Sequence, residues 1–269
     1  MTTDQRVEAG EPAADAGWSP PSTIEERLKA LLIPPRLYIR YKAAKERFKG
    51  EAEMRLLSFL VDRNRNAVDA GANKGTYSFV LGQLARTVYA FEPNPKMFEV
   101  LRRTAGRNVV VSPLALSNRT GEVEFRVPRY GKGSYSNQGG TLSAIKVNED
   151  YAALPVKAEP LDALNLDDIG FIKIDVEGFE YEVLEGARAL IARDRPTLMI
   201  EIEEKHTQIP IETALAEVLA LGYDGLFFDR NAQALRALSY FEPEGHHRQP
   251  VKGYVYNFIF LPRRQDRPA

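Results

Sequence analysis

The chain has 269 residues, 44% of them hydrophobic and 27% charged, which suits one large α/β domain or two small ones with a substantial core. Its formal net charge of −1 provides no global field toward nucleic acid or an anionic membrane. It has no cysteine, which excludes disulfides, thiolate metal sites and a cysteine nucleophile.

Residues 1 to 22, rich in Ala, Gly, Pro, Asp and Glu, read as a disordered tail and lack the apolar h-region of a secretory signal. No apolar run reaches the roughly 20 residues of a membrane span, and a cytoplasmic location is expected. Residues 23 to 65 form a helical N-terminal extension: Thr23 with Glu25 and Glu26 makes a capped start, and Pro34-Pro35 interrupts it. Its Lys- and Arg-rich amphipathic pattern fits a cover on the domain, a substrate-docking helix or a dimer-forming helix.

Strands and helices then alternate. Strands are expected at 67–72, 87–92, 108–116, 171–176 and 196–203, and helices at 77–85, 95–106, 179–192 and 211–222. Residues 121–128 alternate like a half-exposed hairpin arm, and 129–145 read as a mobile Gly- and Ser-rich loop that would serve as a lid. Two late strands close the chain. The order argues for an α/β, doubly wound and mostly parallel sheet over residues 66–262, followed by a polar tail at 263–269.

Ligands of such sheets bind beyond the C-terminal strand ends, where Asp69-Ala70-Gly71-Ala72-Asn73-Lys74-Gly75 lies. No Gly-Lys-Ser follows, so this is not a triphosphate loop. Asn73 stands where a dinucleotide fingerprint needs its middle glycine, and Asp69 would repel a pyrophosphate. An anion there suits a cationic ligand without phosphate, S-adenosylmethionine, and Glu92-Pro93 at the end of the next strand can accept ribose hydroxyls.

VDAGANKGTYS, AFEPNP, SPLALSNRTGEVEF and IKIDVEGFEYEVLEGA together resemble the FkbM family of S-adenosylmethionine-dependent methyltransferases, over about residues 50 to 262. The resemblance implies the class I methyltransferase (Rossmann-like) fold with an antiparallel seventh strand. It also implies O-methylation of a carbohydrate, glycolipid or glycosylated natural product. By the same analogy Asp175 faces the methionine part of the cofactor, beside Asp69, Gly71, Asn73, Gly75, Glu92 and Pro93.

Strand alternation puts Lys173, Asp175 and Glu177 on one side, and Glu201 and Glu203 on one side of the neighbouring strand. Lys173 would pair with Glu201 or Asp175 and fix the register. His206, Asp175 and Glu203 are the candidate catalytic residues, because an imidazole or carboxylate can take the acceptor's proton. Glu201, Glu203 and His206 are metal-ligand types without a metal-motif spacing, so no metal is expected. Arg129-Tyr130-Gly131-Lys132 and His246-His247-Arg248 would contact an anionic acceptor or be merely solvated.

The expected partners are a small-molecule or glycan acceptor and no nucleic acid, with the oligomeric state open to a homodimer. An NAD(P)-dependent oxidoreductase and a non-catalytic S-adenosylmethionine-binding module are the competing readings.

Overall fold

The computed structural model describes residues 19–130, 134–136, 139–146, 150–249 and 253–263. Helices α1 (Ile24–Leu32), α2 (Pro35–Lys49) and α3 (Leu57–Leu60) form the N-terminal extension. Thr23 and Glu26 cap α1 reciprocally, each side chain accepting the other's backbone N–H. Then follow β1 (Asn66–Ala70), α4 (Thr76–Leu81), β2 (Val88–Phe91), α5 (Pro95–Thr104) and β3 (Val109–Ser112). Asn94 caps α5, accepting the N–H groups of Lys96 and Met97, and Pro95 takes the first helical position.

The arm consists of β4 (Ala115–Leu116), β5 (Gly121–Tyr130), β6 (Ser134–Tyr135) and β7 (Tyr151–Glu159). The second half adds β8 (Ile169–Ile174), α6 (Glu180–Glu185), α7 (Arg188–Asp194), β9 (Thr197–Glu201), α8 (Glu204–Thr207) and α9 (Ile211–Ala220). It ends with β10 (Tyr223–Asp229), β11 (Ala234–Ala237), α10 (Pro243–His246) and β12 (Asn257–Pro262).

The main sheet has the order β11-β10-β12-β9-β8-β1-β2-β3. Strands β3, β2, β1, β8 and β9 are mutually parallel, while β12 runs antiparallel between β9 and β10. This is the class I methyltransferase order, with β11 added as a hairpin on β10. Alternate residues supply the two layers of the core. Val68, Ile172, Ile174, Leu198 and Ile200 pack with α6, α7 and α9; Ala67, Phe171, Met199 and Ile259 pack with α3, α4 and α5. Each fully buried aliphatic or aromatic side chain contributes about 1.5–3 kcal/mol, so this alternation fixes the register and, with it, the positions of the polar residues between.

Three expectations need correction. The helix expected at 179–192 is two helices broken at Gly186, where the chain runs so close to Ser117 that an added Cβ would lie 2.0 Å from its carbonyl oxygen. Strands β7 and β11 were not expected; β7 is the arm's partner strand, pairing with β5 from Gly121↔Ala158 to Pro128↔Tyr151. The loop expected at 129–145 is partly strand: Arg129 and Tyr130 belong to β5, and Tyr135 and Ser134 pair back on them. Thr141 bridges to Arg126 and donates its hydroxyl to the carbonyl of Glu177, at 2.7 Å. Positions 131–133 and 137–138 of that segment lie outside the described residues, as do 1–18 of the N-terminal tail and 264–269.

Candidate active site

A cavity of about 450 Å³ opens at the C-terminal ends of β1, β2, β8 and β9. Its wall includes the expected Asp69, Gly71, Asn73, Glu92, Pro93 and Asp175, together with Glu177, Glu201 and Glu203.

At the β1–β2 end the chain turns on backbone conformations that few side chains accept. Gly71, Asn73 and Gly75 have φ of 78°, 49° and 86°. A Cβ on Gly71 would lie 1.8 Å from the carbonyl oxygen of Asp175, and one on Gly75 would lie 2.7 Å from Leu101. Gly75 therefore serves the packing of this loop on α5, and it is not part of the cavity wall. The N–H groups of Gly71 and Ala72 both reach the carbonyl of Phe91, which ties the loop to the end of β2.

Glu92 is buried and accepts the N–H of Asn73 at 2.7 Å and that of Asn94 at 2.8 Å, one on each oxygen. A carboxylate has about four lone-pair sites, so two remain for a ligand. Burial nevertheless raises its pKa to about 7. Asp69 accepts the hydroxyl of Ser78, and burial raises its carboxyl to about 6. Both groups would be stabilised as anions by a cationic ligand.

Lys173 stands beside Asp69 across the β1–β8 register and is fully buried. Its ammonium lies 3.3 Å from Asp175 and 3.3 Å from Asn257 Oδ1, with the Tyr77 ring 5.1 Å away. Burial alone would lower its pKa, but Asp175, Glu51, Glu201 and Asp69 together hold it above the ordinary lysine value. Of the two expected partners the structure selects Asp175; among the described residues Glu201 makes no ion pair. Glu51 joins the network from the N-terminal extension, accepting the Tyr77 hydroxyl and the Asn257 amide.

Under β8 and β9 the acids are paired unequally. Glu203 accepts the Tyr254 hydroxyl and contacts the Lys205 ammonium at 2.6 Å. Burial would raise its carboxyl, but these bonds hold it below the usual carboxylate value. Glu177, at φ 62°, pairs with Lys146. Glu201 has no such partner, and burial, then Asp175, push its pKa well above the ordinary value.

His206 lies 3.7 Å from Glu203 and 3.8 Å from Glu177, but it is not part of the cavity wall. Burial, then the Lys146 ammonium, push its pKa down to about 4. The imidazole expected as the base is thus neutral and weakly basic here, and it stands beside Glu177 and Glu203. One nitrogen of His206 and one oxygen each of Glu177 and Glu201 lie within 4.8 Å of one another, the geometry of a set that could hold a metal ion. Glu203, expected in that grouping, is replaced there by Glu177.

None of the described side chains of the two basic clusters lines the cavity. Arg129 lies 3.6 Å from Asp150 and over the Tyr135 ring, and positions 131 and 132 lie outside the described residues. His247 is buried rather than solvated: its Nε2 accepts the N–H of Glu204, its Nδ1 donates to the carbonyl of Val255, and it stacks on Tyr254. Arg248 bridges Glu204, Glu212 and Glu244. This cluster therefore positions Tyr254, which in turn fixes Glu203.

Sequence reasoning missed Tyr254, Lys146, Glu51 and Glu180. Glu180, buried in the first turn of α6, accepts the N–H groups of Val176 and Gly178 and so shapes the turn that presents Glu177; burial raises it to about 7. Its place two residues after Gly178 was a readable signal for such a bond. The others come from distant segments and left none.

The model of the Methyltransferase FkbM domain matches residues 69–240. Hexuronic acid methyltransferase AglP of Haloferax volcanii is 28% identical over 144 residues, which cover 51% of this chain and 56% of that protein. The match thus spans little more than half the relative's length. The structure of an FkbM methyltransferase from Methylobacillus flagellatus overlays with a TM-score of 0.48 at 20% identity, covering 74% of this chain and 44% of that one. A putative methyltransferase from Streptococcus mutans, solved with S-adenosylhomocysteine (SAH), overlays with a TM-score of 0.41 at 14% identity, covering 77% and 93%. With the family model spanning most of the sheet and its cavity, the chain belongs to the FkbM methyltransferases, and its cofactor is S-adenosylmethionine.

Proposed function

We propose that this chain O-methylates a hydroxyl of a carbohydrate, glycolipid or glycosylated natural product. One observation carries the choice of a hydroxyl. Three ammonium groups near the acceptor end are each committed to a carboxylate, Lys173 to Asp175, Lys146 to Glu177 and Lys205 to Glu203, which leaves Glu201 on the wall without an ion pair among the described residues. Its carboxyl, which burial pushes toward the neutral form, offers an acceptor carboxylate no counter-charge, while in its ionised form it attracts a hydroxyl proton. The similarity to a protein named for hexuronic acid supports a sugar acceptor.

In this reading Gly71 leaves room for the cofactor's backbone contacts, and Asp69 and Asp175 balance its positive charge. Asn73 and Pro93 border the site, and the free lone pairs of Glu92 accept the ribose hydroxyls. When bound, the cofactor supplies an electrophilic methyl group on a sulfonium. The chain's own work is alignment and proton removal. Glu201 takes the acceptor's proton, aided by the raised pKa that makes it a stronger base than an ordinary carboxylate. Glu203 is held ionised by Lys205 and Tyr254 and orients the acceptor, while Lys173 keeps Asp175 fixed.

The test is transfer of labelled methyl from S-adenosylmethionine to neutral sugars, uronic acids and lipid-linked glycans. The expected product is an ether, stable to mild alkali. An alkali-labile methyl ester, or transfer restricted to non-carbohydrate acceptors, would overturn the reading.

A further inference from the structure

The N-terminal helices carry a surface that the methyltransferase site does not explain. On α1, Ile24, Leu28, Leu31 and Leu32 recur at spacings of four, three and one and are all exposed, Leu31 by 81%. On α2, Leu37, Tyr41 and Phe48 share a face at spacings of four and seven and are exposed too, Phe48 by 72%. The opposite face of α2 is accounted for: Ile39 and Ala43 are buried, and Lys42 and Glu46 line the cavity. Monomeric proteins rarely leave a large apolar surface of this kind uncovered.

Charge identifies what covers it. The two helices contain eight Lys and Arg against three Glu, a net charge of +5 in a chain whose total is −1. Arg27, Arg36, Arg40, Lys45 and Arg47 are exposed among the apolar residues. A second copy docked through the same face would bring these charges against themselves, because a two-fold interface pairs each patch with its own image. An anionic bilayer surface instead attracts every one of them and takes up the apolar side chains at the headgroup boundary. We propose that the outer faces of α1 and α2 dock this protein on the surface of an anionic membrane, lying on it without spanning it. Because α2 carries the docking face on one side and cavity-lining residues on the other, the active site is held close to that surface. The proposal stands on the surface alone and does not depend on the identity of the acceptor.

Vesicle sedimentation tests it, with the full chain and either pure phosphatidylcholine or phosphatidylcholine mixed with phosphatidylglycerol. The expected result is binding to the mixed vesicles only, released by about 0.5 M salt, where screening is strong. The double variant Leu31→Glu/Phe48→Glu should lose about tenfold or more in partitioning, since each change puts an anion at the headgroup boundary. Both positions are exposed, so the variant should keep wild-type circular dichroism and cofactor affinity by calorimetry. Equal binding to pure phosphatidylcholine, no binding to either vesicle, or unchanged partitioning of the variant would each overturn the proposal. So would sedimentation velocity showing a wild-type dimer that the variant splits, which would place the face between two copies.

Discussion

The cavity end under β1 and β2 takes its polar groups from residues 69 to 94, whereas the end under β8 and β9 depends on residues spread from Glu51 to Asn257. At the first end the backbone does the shaping: three positive-φ residues make the turn, and the buried carboxylate of Glu92 accepts one N–H from that turn, of Asn73, and one from its own loop, of Asn94. At the second end side chains balance one another, Lys173 against Asp175, Lys205 and Tyr254 against Glu203, Lys146 against Glu177. Substitutions that alter backbone geometry should therefore damage the first end most, and substitutions that alter charge the second.

The sharpest break is Gly71→Val. Its Cβ would meet the Asp175 carbonyl at 1.8 Å on a φ of 78°, so calorimetry should detect no S-adenosylmethionine binding. Retained affinity would mean that the loop relaxes and that its backbone is not the determinant. Next is Glu201→Gln, which removes the proton acceptor and keeps the shape. It should lower kcat by roughly 10²–10⁴ with little change in cofactor affinity, while His206→Ala should have the smaller effect. The reverse order would return the base role to His206.

Lys173→Met sharpens the same contrast through stability. It leaves the buried Asp69 and the half-buried Asp175 without their cation, which costs about 3–5 kcal/mol, read as a fall in the urea midpoint. Adding Asp175→Asn to Lys173→Met should recover part of that loss; a further fall instead would show that the pair is not the reason.

The smallest effect is on pH dependence. Asp69 at about 6, and Glu92 and Glu180 at about 7, hold protons in the native state that the unfolded chain has already released. The ligand-free protein should therefore lose stability as pH rises from about 4 to 7, by on the order of 2 kcal/mol for each of these groups. His206, pushed down to about 4, opposes this between about 4 and 6.5, because there the unfolded chain binds the extra proton. Burial raises the carboxyls of Glu53, Glu182 and Glu201 as well, so the carboxyl groups set the net direction. Urea titrations at pH 5 and 7 should show it, with Asp69→Asn flattening the slope and His206→Ala steepening it; a stability that rises over this range would contradict the burial argument.

By itself the sequence determined the sheet, the cofactor loop and its two acids, because each depends on near neighbours. Alternating apolar residues choose a strand face, glycines permit a turn, and Asp69 and Glu92 stand at successive strand ends. The cap of α1 and the antiparallel last strand were legible for the same local reason or through the family resemblance. Only the tertiary structure decided which carboxylate at the acceptor end is left without a partner. Lys146, Lys205 and Tyr254 reach Glu177 and Glu203, and Lys173 reaches Asp175, so among the described residues Glu201 is left there without an ion-pair partner. It also set His206 beside Glu177 and Glu203 and exposed the apolar faces of α1 and α2. An amphipathic pattern shows that a helix has two faces; which of them meets the core and which is left for another surface depends on what the rest of the chain packs against it.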